Sequence, residues 1–232
     1  MAFMDIVLYD DASWRAHLLP LVATRPVGNL RVGILTLDAK WQLIYNTNVH
    51  HYTVPHLRAK FQPVAASASS YLIIRANICP TQELLTCLDR LAVGEILMDG
   101  AEWVALKSDL WPTVIAVEDY LSVAMESPVV QVRYLEDIFS LNAAQLLFDF
   151  DLICQGRDAQ PLSGSNLLIG PADQLFLEPG VWAEGCTFNT LGGPIYVGAN
   201  AQLEEGSHLR GPIGIGAGAR VKMGARIYGN VS

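Results

Sequence analysis

Between Tyr9 and Trp41 the chain reads YDDASWRAHLLPLVATRPVGNLRVGILTLDAKW, in which Asp10 and Asp11 are followed by Arg15, Arg25 and Arg31. Two carboxylates closing an apolar run, with three arginines soon after, make a candidate anion cradle. A guanidinium donates two parallel hydrogen bonds to phosphate oxygens, which suits a nucleotide or a sugar phosphate. The Thr24-Arg25-Pro26 turn singles out Arg25; Arg31 serves as readily to fix the fold through backbone carbonyls. Further on, Asn77 follows a second apolar run, YLII, in the stretch RANICP. An Asn there can hold a metal or hydrogen-bond a sugar or base, more weakly than a carboxylate, or simply cap its loop.

Other residue types carry less chemistry. His50, His51 and His56 lie in NTNVHHYTVPH without partners at metal-ligand spacing. Cys79, Cys87, Cys154 and Cys186 are scattered, with no C-x-x-C pair, and are expected to be free thiols of a reducing compartment.

The 232 residues are 51% hydrophobic, with mean hydropathy +0.29, which describes a packed chain and not a disordered one. Fifteen basic against 23 acidic residues give a formal charge of −8. That balance excludes a general nucleic-acid binder, which needs a concentrated basic face. The start of the chain carries Asp5, Asp10 and Asp11 and no basic leader, and no apolar run approaches the roughly 18 residues of a membrane span. A cytoplasmic protein with no membrane partner is expected.

These residues need elements to position them. DIVLY (from Asp5) and YLII (from Tyr71) are strand-like; Leu84, Leu85, Leu88 and Leu91 recur at helical spacing behind Pro80, which is suited to a first helical turn. Strand, loop and helix in that order predict an α/β unit whose ligand side is the C-terminal end of the strands. EILMDGAEWVAL (95–106), with Asp-Gly between apolar runs, predicts a hairpin. A helix over 136–150 is expected to bury Ile138, Phe139, Leu146, Leu147 and Phe150.

The tail follows a different rule. Val197, Leu203, Leu209, Ile215, Val221 and Ile227 recur every six residues, with small residues mostly four places after each. Gly, Asn or Pro stands three places after each. A short strand pointing its anchor inward, then a corner, repeated three times, closes a triangular coil; coils must stack to bury the anchors. Left-handed parallel β-helix is the expected fold from about Ser165, with Leu191-Gly192-Gly193-Pro194 as a corner loop. His208, beside an anchor, is expected to face outward, and Trp182, Phe188 and Tyr196 to pack between domains. The division expected is an α/β, Rossmann-like domain over 1–160 and an incomplete β-helix over 165–232.

Through LLPLVATRPVGNLRVGIL, YLEDIFSLN and GGPIYVGANAQLEEGSHLRGPIGIGAGARVKMGARIYG, the chain resembles a divergent bacterial branch of the bifunctional enzymes of UDP-N-acetylglucosamine synthesis. The resemblance implies an N-terminal nucleotidyltransferase joining uridylate to N-acetylglucosamine-1-phosphate with Mg2+. It also implies a trimeric C-terminal β-helix that acetylates glucosamine-1-phosphate from acetyl-CoA. By that likeness Arg15 and Arg25 are the catalytic candidates, Asp10, Asp11, Arg31 and Asn77 bind substrate, and Asn77 stands where the family has its metal-binding Asp. The partners implied are a nucleoside triphosphate, a sugar-1-phosphate and two further copies of the chain.

The family's G-x-G-T-R-x-x-P-x-x-x-K entrance is here DDASWRAHLLPLVATRP, where Arg15 and Pro20 match and the glycines and lysine are absent. The sequence ends after the Ile227 repeat, so the acetyl-CoA residues of later coils are expected only in a longer protein. The alternatives are a nucleotidyltransferase-like domain that binds without turnover on a trimerising β-helix, and a plain hexapeptide acyltransferase.

Overall fold

A computed structural model describes residues 4–10, 12–61, 69–111 and 114–232, and divides the chain into two compact units. The first comprises Met1–Leu30 with Thr36–Asp137, the second Arg31–Leu35 with Ile138–Ser232.

In the first unit, β1 (Met4–Tyr9) leads through a single turn of helix, α1 (Ala12–Arg15), and a loop to α2 (Leu37–Tyr45) and β2 (Val49–Tyr52). There follow α3 (Pro55–Arg58), β3 (Ser70–Arg75), α4 (Gln82–Arg90), β4 (Glu95–Asp99), β5 (Glu102–Ser108) and β6 (Leu121–Ala124). The strands form one sheet in the order β2-β1-β3-β5-β4-β6; β1 runs parallel to both its neighbours, and β5 is antiparallel to β3 and β4. Ile6, Val7 and Leu8 of β1 and Leu72, Ile73 and Ile74 of β3 are buried whichever way they point, as central strands covered on both faces require.

The α4 helix starts later than Pro80 suggests. Thr81 caps it, its side chain accepting from Leu84 N at 3.3 Å, and Pro80 lies outside. Leu84 and Leu88 are its buried stripe. The Asp-Gly hairpin forms between β4 and β5, with Gly100 at φ +60°, where a side chain would be strained. Beyond it the register slips by one residue: Leu97 faces Ala105 but Met98 faces Trp103. This bulge turns Trp103 onto the sheet face that carries Val7, Ile73 and Leu106.

The second unit joins α5 (Leu135–Cys154), most of which it contains, to ten short strands. These are β7 (Leu167–Ile169), β8 (Leu175–Leu177), β9 (Trp182–Ala183), β10 (Thr187–Asn189) and β11 (Ile195–Val197), then β12 (Gln202–Leu203), β13 (His208–Arg210), β14 (Ile213–Ile215), β15 (Arg220–Val221) and β16 (Arg226–Tyr228). They make three parallel sheets, ordered β16-β13-β10-β7, β14-β11-β8 and β15-β12-β9. Val197 pairs with Ile215, Leu203 with Val221 and Leu209 with Ile227, the step that three six-residue sides predict. The arrangement fits a β-helix. Its core holds Val197, Leu203, Leu209, Ile213, Ile215 and Val221 together with Ala201, Leu177, Ile195 and Phe188. Phe188 therefore fills the inside of the coils. His208 is exposed, and Leu191 to Pro194 form no strand.

The stripe expected on α5 is corrected by the structure. Leu146 and Phe150 are buried, but Phe139 is 80% and Leu147 46% exposed. Asn142, Gln145 and Asp149 are buried instead. The reason is a strap: Gly33 N donates to Asn142 Oδ1 at 2.7 Å and Leu35 N to Asp149 Oδ2 at 2.9 Å, so polar side chains satisfy a backbone segment laid along the helix. Gly33 has φ +86°, and a Cβ there would come within 2.6 Å of Asp149 Oδ2. Among the described residues no helix is long and apolar enough to cross a membrane.

Candidate active site

The C-terminal ends of β1 and β3 are where an α/β sheet offers a ligand its loops. Asp10 follows β1 there and is 3% exposed. Its Oδ2 accepts from the Arg15 guanidinium, from Thr53 Oγ1 at 2.7 Å and from Val27 N at 3.3 Å. Burial pushes its carboxyl pKa up against the opposing pull of Thr53 and Arg15. Arg15 is buried too; its second terminal nitrogen donates to the carbonyl of Val22 and, at 2.9 Å, to that of Arg25. The pair thus staples the 22–27 loop to the end of β1. Arg25 itself is exposed at the turn it was expected to occupy.

The other candidates are spread. Arg31 belongs to the second unit, where it donates to Ile34 O. Asp11 lies outside the described residues. Asn77 is fully buried and clasps the 130–132 segment to the end of β3: Nδ2 donates to Val132 O at 3.1 Å, and Val132 N returns a bond to Asn77 O at 2.8 Å.

At the same strand ends lies a cavity of about 330 Å³ lined by Ser13, Trp14, His17, Arg75, Ala101, Glu102 and Trp103. Each lining group has a structural cause. On the short helical stretch Arg15 points inward, while Ser13 and His17 are exposed and Trp14 is half-buried. Arg75 ends β3, 7% exposed, and donates to Glu102 Oε2 at 3.1 Å and Trp103 O at 3.3 Å. Its guanidinium carbon lies 5.7 Å from the Trp14 ring centre, within cation–π range. The β4–β5 bulge delivers Trp103, whose ring meets Tyr9 edge-on at 5.5 Å; Tyr9 in turn stacks on Tyr52 at 4.8 Å. Arg133 donates to Glu102 at 2.6 Å, and His17 stacks on Tyr134 at 5.0 Å. Glu102 thus bridges two guanidiniums, those of Arg75 and Arg133.

Trp14, His17, Arg75, Glu102 and Trp103 are site residues that the sequence motifs do not single out. Signals existed: Trp14 and His17 flank Arg15 at one-turn spacing, and Glu102-Trp103 directly follows the hairpin turn.

Magnesium, implied by the likeness, meets a poor set of ligands. Among the described residues no three His, Cys, Asp or Glu side chains converge. Asp10 keeps one buried oxygen without a partner, but the Arg15 guanidinium on the same carboxylate would repel a divalent ion, and Asn77 is neutral. The described residues do not fit a resident magnesium site.

No curated protein matches the chain. A family model described as sugar nucleotidyl transferase matches residues 6–158, a stretch that holds most of β1, the stapled loop and every residue lining the cavity. By that match, which spans more than half its length, the chain belongs to the sugar nucleotidyl transferase family.

Proposed function

We propose that the protein is a sugar-1-phosphate nucleotidyltransferase of the UDP-N-acetylglucosamine type, with the division into 1–160 and 165–232 that the sequence suggests. In the complete protein it would be coupled to an acetyl-CoA-dependent hexapeptide acetyltransferase on a left-handed, trimeric β-helix in the cytoplasm. The observation carrying the first part is the family match over a segment whose strand ends form an arginine- and tryptophan-lined cavity. The reaction is attack of a sugar-phosphate oxygen on the α-phosphorus of the nucleoside triphosphate, with pyrophosphate leaving. Catalysis of this kind is mostly positioning and neutralisation of phosphate charge.

Arg25 is the residue assigned to phosphate, because its head is exposed on the stapled turn. Arg15, committed to Asp10 and two carbonyls, is assigned to holding that turn in place. Asp10 and Asn77 support the two loops at the strand ends, Asp11 is assigned to substrate contact, and Arg31 is assigned to fixing its own segment through Ile34 O. Magnesium is counted with the triphosphate as substrate.

Pyrophosphate release from UTP and N-acetylglucosamine-1-phosphate, with and without Mg2+, is the test. Turnover that falls about 100-fold or more in Arg25→Ala agrees with the assignment; unchanged turnover removes Arg25 from the site.

A second reading has an observation of its own. The pairing of Asp10 with Arg15 and the neutral Asn77 suit a domain that binds nucleotide without turning it over. Calorimetry showing UTP binding in a protein that releases no pyrophosphate would favour it.

A further inference from the structure

The sheet β16-β13-β10-β7 turns one face to solvent, and the charges on that face are of one sign. Its outward residues form two rows across the strands. In one row Leu167 leads to His208 and Arg226, and in the other Ile169 leads to Arg210 and Tyr228. His208, Arg210 and Arg226 are exposed, Tyr228 by 75%, and Leu167 at the far end by 56%. None of the four strands contains a carboxylate. The nearby cations Arg220 and Lys222 are already paired, both with Glu204. Arg210 and Arg226 have no such partner among the described residues. In a chain of net charge −8, these guanidiniums, with an imidazole and a phenol beside them, make one end of the face anion-seeking. Leu167 and Ile169 make the other end apolar.

The alternative occupants each meet a physical objection. Small ligands bury themselves in concave sites, whereas these side chains stand on the surface of a sheet. Nucleic acid is held through roughly six to ten phosphate contacts, which two guanidiniums do not supply, and Leu167 offers it nothing. A second copy presenting the same face would set guanidinium against guanidinium. What matches both ends is an acidic segment of a partner protein that also carries an aliphatic residue. Neighbouring strands lie about 4.8 Å apart, which separates the cationic and apolar ends by roughly 12–14 Å. An extended peptide advances about 3.4 Å per residue and turns alternate side chains to the same side, so about four residues span that distance. We infer that this face docks an extended segment of a partner protein. An acidic residue of the segment lies over Arg210 and Arg226, and an aliphatic one about four places on lies over Leu167 and Ile169.

The test uses the full chain and the fluorescence anisotropy of a labelled synthetic peptide, with two glutamates at one end and a leucine about four residues on. Binding is expected below about 1 mM and should weaken as salt rises. The double change Arg210→Glu and Arg226→Glu should weaken it about tenfold or more, and Leu167→Asn about threefold. A peptide with lysines in place of the glutamates should bind the doubly changed protein better than the parent, a gain that misfolding does not produce. Moving the leucine by one place turns it to the other side of the peptide and should cost as much as Leu167→Asn. A parent protein that binds no acidic peptide in that range would overturn the assignment, as would equal affinity in the doubly changed protein. A single-stranded oligonucleotide that binds more tightly than the peptide, and loses its affinity in the same double change, would give the face to nucleic acid and overturn it too.

Discussion

In the coils of the second unit, each buried aliphatic leans on its counterpart one turn along: Val197 on Ile215, Leu203 on Val221, Leu209 on Ile227. At the strand ends of the first unit nothing repeats. Trp14 comes from a single helical turn, Arg75 from the end of β3, Glu102 and Trp103 from a bulged hairpin, and Arg133 from a segment clasped by Asn77. The coils gain stability from many equivalent, interchangeable contacts. The site depends on a few unlike polar contacts, where removing one partner strands another in a poorly solvated place. Damage should therefore be graded by depth in the coils and all-or-none at the staple.

The largest effect is expected from Arg15→Ala. It leaves the Asp10 carboxylate buried with its main opposite charge removed, and should cost about 3–5 kcal/mol in urea unfolding. A loss below about 1 kcal/mol would mean that the pair is hydrated and staples nothing.

Leu209→Ala, in the middle of a coil, should cost about 2–5 kcal/mol. Ile227→Ala, at a partly buried anchor one coil further along, should cost clearly less in this chain. Equal losses at the two positions would break the picture of stability growing with stacked neighbours.

A smaller effect is expected from pH within the second unit. The hydrogen bonds from Arg157, at 2.8 and 2.7 Å, hold the Glu178 carboxyl below its usual 4.5, with Tyr196 adding to the pull. Its folded-state value lies under the unfolded one, so the stabilisation is complete above about pH 4.5 and fades as pH falls through the lowered value. Arg157 is 45% exposed, and solvent limits the pair to about 0.5–1 kcal/mol. Arg157→Ala should flatten the acid limb of the stability profile by that amount; an unchanged limb would assign the acid sensitivity elsewhere.

How far each region could be read in advance follows from the same contrast. The anchors from Val197 to Val221 were legible because a coil writes its three-dimensional period directly into the sequence, and they are buried as expected. The Tyr71–Ile74 strand and the Asp99-Gly100 hairpin were legible for local reasons, namely β-branched runs and turn chemistry. On α5 the apolar residues misled, because burial there follows the Gly33–Leu35 strap, which sits more than a hundred positions away in sequence. The Asp10–Arg15 segment was recognised as chemistry-bearing, but its sequence does not say that Arg15 turns inward to the carbonyls of Val22 and Arg25. Trp14 and Trp103 carry only faint sequence signals, a place beside Arg15 and one just after the hairpin turn, because the cavity they share is assembled from separate elements.

The family match over residues 6–158 predicts nucleotidyl transfer at the strand ends of the first unit. Mass spectrometry of nucleotide-sugar formation, with UTP and N-acetylglucosamine-1-phosphate supplied to the full chain together with Mg2+, addresses it most directly. Accumulation of UDP-N-acetylglucosamine with pyrophosphate in equal amount is expected, and its loss in Arg25→Ala. No nucleotide sugar from this pair, or from any other pairing of nucleoside triphosphate and sugar-1-phosphate, would contradict it.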